Sequence, residues 1–509
     1  MYADPIITES KTNNSPAVPT TTSVNAKSTA TTNLGWMSSL RDLPREHGFE
    51  PLRVEGTIPA DLVGTLYRVG PSLFSSFGKP YGHLFDGDGA VTAVRFANGR
   101  ALGAAKLVQS EGLVKERRAG HQIYGGYGTP MPGLKRFLPL RPNSKLKNPA
   151  NTSILVWGER VFGLYEGDMP TEIAPSDLAT LGEKDLGMVV ESFSAHPRGV
   201  PSRRAMYNFG LRYGRKTVLD IYVLDDSGRG RKVVEIPLER TTMIHDFIAT
   251  EKHLVFFSPP IYYNPLRLLF GVDTLHSAMR WKPELGTEVI VVPIDDPQHW
   301  TCFTIDPFFQ WHFLNGYERG SEIVIDVVRF PDLDSNNWFG ALIHPQPRAY
   351  VAGELWRVTL DPGAQRATSE PRWARPCEFP RVAPGVVSKP HTIGWLAAYA
   401  ASAEKFVDRL PDAVAKVEVE NGRHSVWLSG GGVVSEPIFV PRPSNGAAQT
   451  EDDGWVLALV YDPASDASNV TALDARDLSA GPLFRAWFDH HVPPTFHGAF
   501  APGQMVIPS

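Results

Sequence analysis

Ala90-Val-Thr-Ala-Val-Arg-Phe96 and Arg100-Ala-Leu-Gly-Ala-Ala-Lys-Leu-Val108 flank the pair Asn98-Gly99. Both flanks are rich in residues that suit a pleated, half-buried strand. Asn-Gly suits a two-residue type I′ turn, in which both central residues need positive φ. The stretch therefore predicts an antiparallel hairpin. The same pattern recurs along the chain: 153–157 with 161–165 across Gly158-Glu159-Arg160, 218–224 with 232–236, 414–419 with 424–428, and 455–461 with 470–473. Helical periodicity is scarce and is clearest at 175–181 and 266–279. Hairpins repeated at intervals of tens of residues predict an all-β chain built by radial repetition of small sheets, a β-propeller. Two β-sandwich domains are the competing arrangement.

Composition narrows the function. The 509 residues are 42% hydrophobic and 21% charged, with a formal charge of −5. That is an ordinary globular balance, and it offers no basic field for nucleic acid. Cys302 and Cys377 are too few for a disulfide framework and lack metal-ligand spacing, so they read as reduced thiols in a cytoplasmic protein. No run reaches the roughly 18 apolar residues of a membrane span. The best candidate, 254–272, is interrupted by Pro259, Pro260, Asn264, Pro265 and Arg267. The start of the chain lacks the apolar core of a secretory signal, and no arginine precedes Arg41. Residues 1–35 are rich in Ser, Thr, Asn and Ala. They bury too little apolar surface to offset their ordering entropy, so the expectation is a disordered segment followed by one folded domain over 36–509.

Four of the 15 histidines share an apolar or aromatic setting: His196 (Phe193-Ser-Ala-His-Pro197), His245 (Met243-Ile-His-Asp-Phe247), His312 (Gln310-Trp-His-Phe-Leu-Asn315) and His497 (Pro494-Thr-Phe-His-Gly498). Singly, each is more often a hydrogen-bonded core residue than a ligand. Together, the first three are spaced by roughly one blade, and inner strands of different blades face one axis. Four neutral imidazoles converging there would suit Fe(II), Zn(II) or Cu(II). A ligating histidine usually donates its other ring N–H to a carboxylate or carbonyl. Glu166, Glu378 and Glu436 stand in apolar settings where an unpaired carboxylate is costly.

These strings resemble the carotenoid cleavage oxygenases. The resemblance runs from about Pro51 onward. It rests on the 56–71 string (GTIPADLVGTLYRVGP), His83-Leu-Phe-Asp-Gly-Asp-Gly89, Ala150-Asn-Thr152, the four histidine motifs, Asn315, Glu318, Glu378-Phe-Pro380 and the 436–443 string (EPIFVPRP). It implies a seven-bladed β-propeller with a cap of loops and short helices over an iron site. It also implies Fe(2+) held by His196, His245, His312 and His497, with Glu166, Glu378 and Glu436 behind them and Thr152 near the open coordination position. The implied activity is dioxygen-dependent cleavage of a conjugated C=C bond in an apocarotenoid or carotenoid, giving two carbonyl products such as a retinal-type aldehyde. Within the family, the 148–152 string (NPANT), the 125–133 loop (GGYGTPMPG), Leu269-Phe-Gly271 and Gly454-Trp455 look most like the bacterial apocarotenoid oxygenases.

Three positions depart from the family pattern. Ala90 follows Asp-Gly-Asp-Gly where a methionine is usual, Tyr165 stands where a tryptophan is common, and Pro390-His-Thr-Ile-Gly-Trp-Leu396 replaces an aromatic Tyr-Arg-Tyr segment. None touches an implied ligand, so they bear on substrate choice and cleavage position. The Asp-Gly-Asp-Gly string lacks the spacing and closing Glu of a calcium loop and reads as a tight turn. Two glycosylation sequons, at Asn151 and Asn469, have no secretory context. A carotenoid-like substrate must leave a membrane, and 131–141 and 265–280 mix basic with bulky apolar residues, among them Leu266, Leu268, Leu269, Phe270 and Leu275. Exposed, they would make a peripheral membrane contact. The rival readings are a stilbene-cleaving dioxygenase, a retinoid ester isomerase or hydrolase on the same fold, and a non-catalytic carotenoid-binding propeller.

Overall fold

The Asn98-Gly99 hairpin forms in the computed structural model as its sequence requires. Asp88–Ala97 pairs antiparallel with Arg100–Leu107, and Asn98 and Gly99 take φ of 52° and 69°. The structure describes residues 35–133, 146–214, 216–343, 349–400, 406–444 and 449–503. The segment expected to be disordered therefore lies outside the described residues, apart from Gly35. That residue opens a short 3-10 turn, Gly35–Ser39, which buries Trp36. The other four predicted hairpins pair antiparallel in the expected registers.

Among the described residues, seven sheets of four to six antiparallel strands form the blades of a seven-bladed propeller. Inner strands of neighbouring blades touch around much of the axis, as Gly64–Leu73 does with Ser153–Trp157 and Phe247–Ala249 with Phe309–Arg319. Blade 1 begins at Gly64–Leu73, blade 2 at Ser153–Trp157, blade 3 at Arg198–Val200 and blade 4 at Phe247–Ala249. Blade 5 begins at Phe309–Arg319, blade 6 at Cys377–Arg381 and blade 7 at Val433–Val434 and Ile438–Pro441. Two adjoining blades are completed from opposite ends of the chain. Gly498–Pro502 adds to blade 1 beside Gly64–Leu73, and Arg53–Gly56 adds to the edge of blade 7 beside Pro482–Trp487. Strands such as Gly454–Asp462 are buried at nearly every position, because each blade is covered on both faces by its neighbours.

Excursions between strands build the cap. They carry four α-helices among the described residues: α1 (Glu111–Ala119), α2 (Pro265–Leu269), α3 (Leu275–Ala278) and α4 (Asp334–Ala341). The helix expected at 175–181 does not form. Leu178 takes φ of 64°, which breaks any right-handed helix, and Thr180–Glu183 becomes the edge strand of blade 2. The helix expected at 266–279 is two short helices, divided where Gly271 takes φ of 60° and restarted by a capping box at Thr274. Helix α1 escaped the sequence reading because one nine-residue helix carries little periodic signal. Its Ser110 cap and Gly120 stop are nevertheless both legible.

The Asp-Gly-Asp-Gly string, expected as a tight turn, runs from the 3-10 turn Leu84–Asp86 into the strand Asp88–Ala97 and ties the scaffold together through its carboxylates. Asp86 accepts from the Gly128 backbone N–H and the Thr129 hydroxyl, and Asp88 pairs with buried Lys147. Asn151 and Asn469 are buried and so unsuited to carry glycans. His83 ties the same turn into the cap. Its Nδ1 accepts from Phe85 N–H and its Nε2 donates to the Asn336 carbonyl. Burial, together with the nearby His276, pulls its pKa down to about 3 from 6.5. Between these values the unfolded chain binds a proton that the folded one refuses, so this contribution is lost as pH falls below about 6.5. A His83→Gln variant should therefore lose less stability on acidification, by about 1.4 kcal/mol per pH unit within that window. Denaturant titrations of both proteins at several pH values check this; parallel curves would remove His83 from the account.

Candidate metal centre and substrate cavity

The start of each inner strand delivers one side chain toward the axis. Blades 3, 4, 5 and 1 supply His196, His245, His312 and His497; blades 6 and 7 supply Glu378 and Glu436; blade 2 supplies Thr152. Glu166 follows the second strand of blade 2. The four histidines are buried, and one ligand atom from each falls within 4.8 Å of the others. Nε2 of His245 lies 3.1 Å from Nε2 of His196 and 3.2 Å from Nε2 of His312. Two imidazoles bound side by side to one ion at about 2.0–2.1 Å stand about 3 Å apart, so the nitrogens fit a shared metal.

The glutamates set the tautomers. Glu166 Oε1 meets His245 Nδ1, Glu378 Oε2 lies 2.5 Å from His312 Nδ1, and Glu436 Oε1 lies 2.8 Å from His497 Nδ1. A proton held on Nδ1 leaves the Nε2 lone pair free for a cation. His196 has no carboxylate partner among the described residues; its backbone N–H is held by Ser194 Oγ.

Electrostatics favour neutral rings. Burial drives His196 and His312 well below the ordinary imidazole range and takes His497 down to about 4. His245 is raised instead: burial, the largest influence, lowers it, but the charge and hydrogen bond of Glu166 together with the charges of Asp246 and Glu378 outweigh that burial. The carboxylates diverge. Burial pushes Glu378 up to about 8, whereas Glu436 is held far below the usual range, its burial overcome by Arg381, His497 and Arg68.

A cavity of about 1500 Å³ opens above the histidines. It is larger than the roughly 300–1,000 Å³ of most small-molecule pockets. Its apolar wall includes Phe85, Met243, Ile261, Leu268, Met279 and Trp311. Thr152 lines the floor, with its hydroxyl engaged by Asn151 Oδ1 at 3.0 Å, so it presents an apolar surface. Of the three departures from the family pattern, only Tyr165 lines this cavity. Ala90 lies in a blade 1 strand, and His391 is buried against Asp326 and Asn315 in the scaffold. The expected influence of those two on substrate choice therefore has no geometric support.

The sequence reading missed Phe379 and Trp311, although both adjoin quoted motif residues. The Trp311 ring meets His245 edge-on at 4.9 Å between centroids. Phe379 takes φ of 52°, unusual for a bulky residue, and stacks on His312 at 5.3 Å. It missed the roles of Arg68 and Arg381 too. Arg68 is buried and donates to the Glu436 carbonyl and carboxylate, the Phe496 carbonyl and Thr495 Oγ1. Arg381 donates to Glu436 Oε1 at 2.7 Å.

A propeller that gathers four histidines and their carboxylates beneath an apolar cavity defines a metal-dependent oxygenase scaffold. The chain belongs to the family described as Retinal pigment epithelial membrane protein (RPE65), the carotenoid cleavage oxygenases, which it matches over residues 40–502. It is 33% identical to Apocarotenoid-15,15'-oxygenase of Synechocystis sp. over 92% of this chain and 96% of that one. It is 26% identical to Carotenoid 9,10(9',10')-cleavage dioxygenase 1 of Arabidopsis thaliana, over 89% and 87%. The solved structure of cobalt-substituted Synechocystis apocarotenoid oxygenase superposes with a TM-score of 0.82 at 32% identity, covering 92% of this chain and 99% of that one.

Proposed function

We propose that this chain is a non-haem Fe(II) dioxygenase that cleaves a conjugated C=C bond of an apocarotenoid or carotenoid, with dioxygen, to two carbonyl products. The observation that carries the reading is the buried four-histidine cluster, with three of its Nδ1 atoms paired to carboxylates, at the floor of a long apolar cavity. His196, His245, His312 and His497 would hold the iron, which supplies the activation of dioxygen when bound. Neutral ligands leave the ion its full charge, and the donor set fits Fe(II). Glu166, Glu378 and Glu436 hold the rings in one tautomer and orientation. The cavity wall orients the polyene and excludes water, while Thr152 crowds the floor beside the metal position. Adding O₂ across a C=C bond and splitting it into two carbonyls moves no proton on or off the protein, so no side chain is needed as acid or base.

The stilbene reading calls for a basic or tyrosyl partner for a phenolic hydroxyl. Among the described residues, Arg240 is the basic side chain of the cavity wall besides the histidines, and it already pairs with Glu288 at 3.2 Å. Tyr165, Tyr262 and Tyr263 also line the wall, so the preference for a polyene rests on the apocarotenoid- and carotenoid-cleaving relatives. A retinoid isomerase or hydrolase would consume no dioxygen, and a mere binder has no use for the histidine–carboxylate pairs. Metal content measured together with oxygen uptake on an apocarotenal tests the reading. Stoichiometric iron, oxygen consumption and a shorter aldehyde support it; full activity of a zinc-loaded or metal-free protein would sink it.

The cavity reaches the surface beside Tyr262, Leu268 and Val272, and around it Leu266 (64%), Val272 (53%) and Phe270 (45%) are exposed. No helix of the described residues is long and apolar enough to cross a membrane. We infer that this patch dips into a lipid surface and draws substrate from it. Of the other basic–apolar segment, residues 134–141 lie outside the described residues. Leu268 is partly buried and packs on the core, so Leu266 and Phe270 are the better probes. Exchanging both for serine should weaken liposome binding in a flotation assay while leaving iron content unchanged. Unchanged flotation would retire the lipid contact.

A further inference from the structure

A second, smaller cavity of about 40 Å³ adjoins the large one. Phe339, Glu378, Phe379 and Phe496 line both cavities and form the partition between them. From Phe379, the small cavity runs past Tyr350 and Val434 to Leu40 and Leu410, which are only partly covered. Most of its polar neighbours are hydrogen-bonded within the protein. The Tyr350 and Tyr399 hydroxyls pair at 3.2 Å, Ser335 Oγ accepts from Trp311 Nε1, and Ser435 Oγ accepts from Thr495 N–H. Two lining residues keep an unpartnered polar atom, Glu378 Oε1 and Trp338 Nε1, and both atoms are sealed from any accessible space. The surface that the cavity offers is therefore apolar. One water needs about 10–15 Å³ on this measure and two to four polar partners, so the cavity suits a small apolar molecule better than water.

The partition is built under strain. Phe379 is held at positive φ between Glu378, which binds His312, and Pro380, and its ring faces both His312 and His497. Such a backbone persists only where the surrounding structure imposes it. The Phe379 ring thus borders the small cavity and also meets two of the four histidines.

We propose that the cavity behind Phe379 is a dioxygen site, through which the gas reaches the four-histidine centre by a path separate from that of the organic substrate. The inference rests on the dioxygenase reading above. A rigid polyene seated in the large cavity closes that approach to the metal, and dioxygen, small and apolar, partitions into spaces that polar solutes avoid. The small cavity gives it access from the far side of the partition.

Xenon, a probe of dry apolar cavities, tests the site without reference to turnover. Crystals of the holoenzyme under xenon pressure should show the gas between Phe379, Tyr350 and Val434. Filling the space with Val434→Phe, or its outer end with Leu410→Trp if the first variant does not fold, should raise KM for dioxygen by about three-fold or more. KM for the apocarotenal and the iron content should not move. A working dioxygenase with no xenon in the cavity, or with an ordered water that gas does not displace, overturns this inference alone. So does an unchanged KM for dioxygen in a folded, cavity-filled variant. Xenon in a protein that consumes no oxygen on any conjugated substrate would overturn the dioxygenase reading, and the route with it.

Discussion

His312→Ala should yield a folded propeller that no longer retains stoichiometric metal and turns over at least about 10³-fold more slowly, since a catalytic metal is worth several kcal/mol of barrier. His312 sits at an irregularity in Phe309–Arg319, an eleven-residue strand that pairs with Glu322–Phe330 on both sides of it, at Phe309 and Gln310 and from Phe313 onward. Loss of one ring therefore leaves the blade intact. Glu378→Gln removes only the carboxylate that fixes the His312 ring, and should cost about 10–100-fold in metal affinity or activity. Metal analysis beside oxygen uptake separates the two. Equal losses would mean that Glu378 does more than orient its ring, and iron retained at full activity in His312→Ala would dismantle the four-histidine site.

Arg68→Met should be the most destabilising single exchange near the site, by about 3–5 kcal/mol, because it strands a buried charge. Glu436 is ionised and buried, and Arg68, Arg381, the ring N–H of His497 and the Gly498 backbone N–H hold it, the two arginines supplying the balancing charge. Burial pulls even the Arg68 guanidinium down to about 10. The same side chain pins the Thr495 and Phe496 segment that positions His497, so stability and metal affinity should fall together. Adding Glu436→Gln to Arg68→Met should recover part of the stability, since the anion is then gone, but not the metal. Thermal denaturation with metal analysis of the single and double variants decides the matter. A double variant that loses the sum of the two single losses would show that the pair is not coupled.

Much of this was legible in the residues. Asn98-Gly99 specifies its turn by a backbone requirement that few other pairs meet, and alternating or continuous apolar runs specify the strands. Blade count was not legible from pattern alone, because blades share geometry without sharing sequence; it came with the family resemblance. The histidines announced themselves through aromatic neighbours, but their convergence is a property of the ring. His196 and His497 are 301 positions apart, and nothing local encodes that they meet. The pairing of each glutamate with its histidine was illegible for the same reason: it depends on which blades adjoin. Phe379 stayed hidden because no residue type in Glu378-Phe-Pro380 signals a left-handed backbone; the surrounding packing imposes it. The helix expected at 175–181 failed because seven residues of periodic pattern cannot outweigh one backbone position that tertiary packing holds out of the helical region.

Residues 53–56 complete blade 7, and residues 498–502 complete blade 1. During vectorial synthesis residues 53–56 must wait for their partner strand, and blade 1 stays incomplete until residues 498–502 emerge. The stretch that seats the edge of blade 7 emerges from the ribosome long before its partner strand, Pro482–Trp487, exists. His497 arrives only with the strand that shuts the ring. A nascent chain thus carries three of the four histidines without a closed site to put them in.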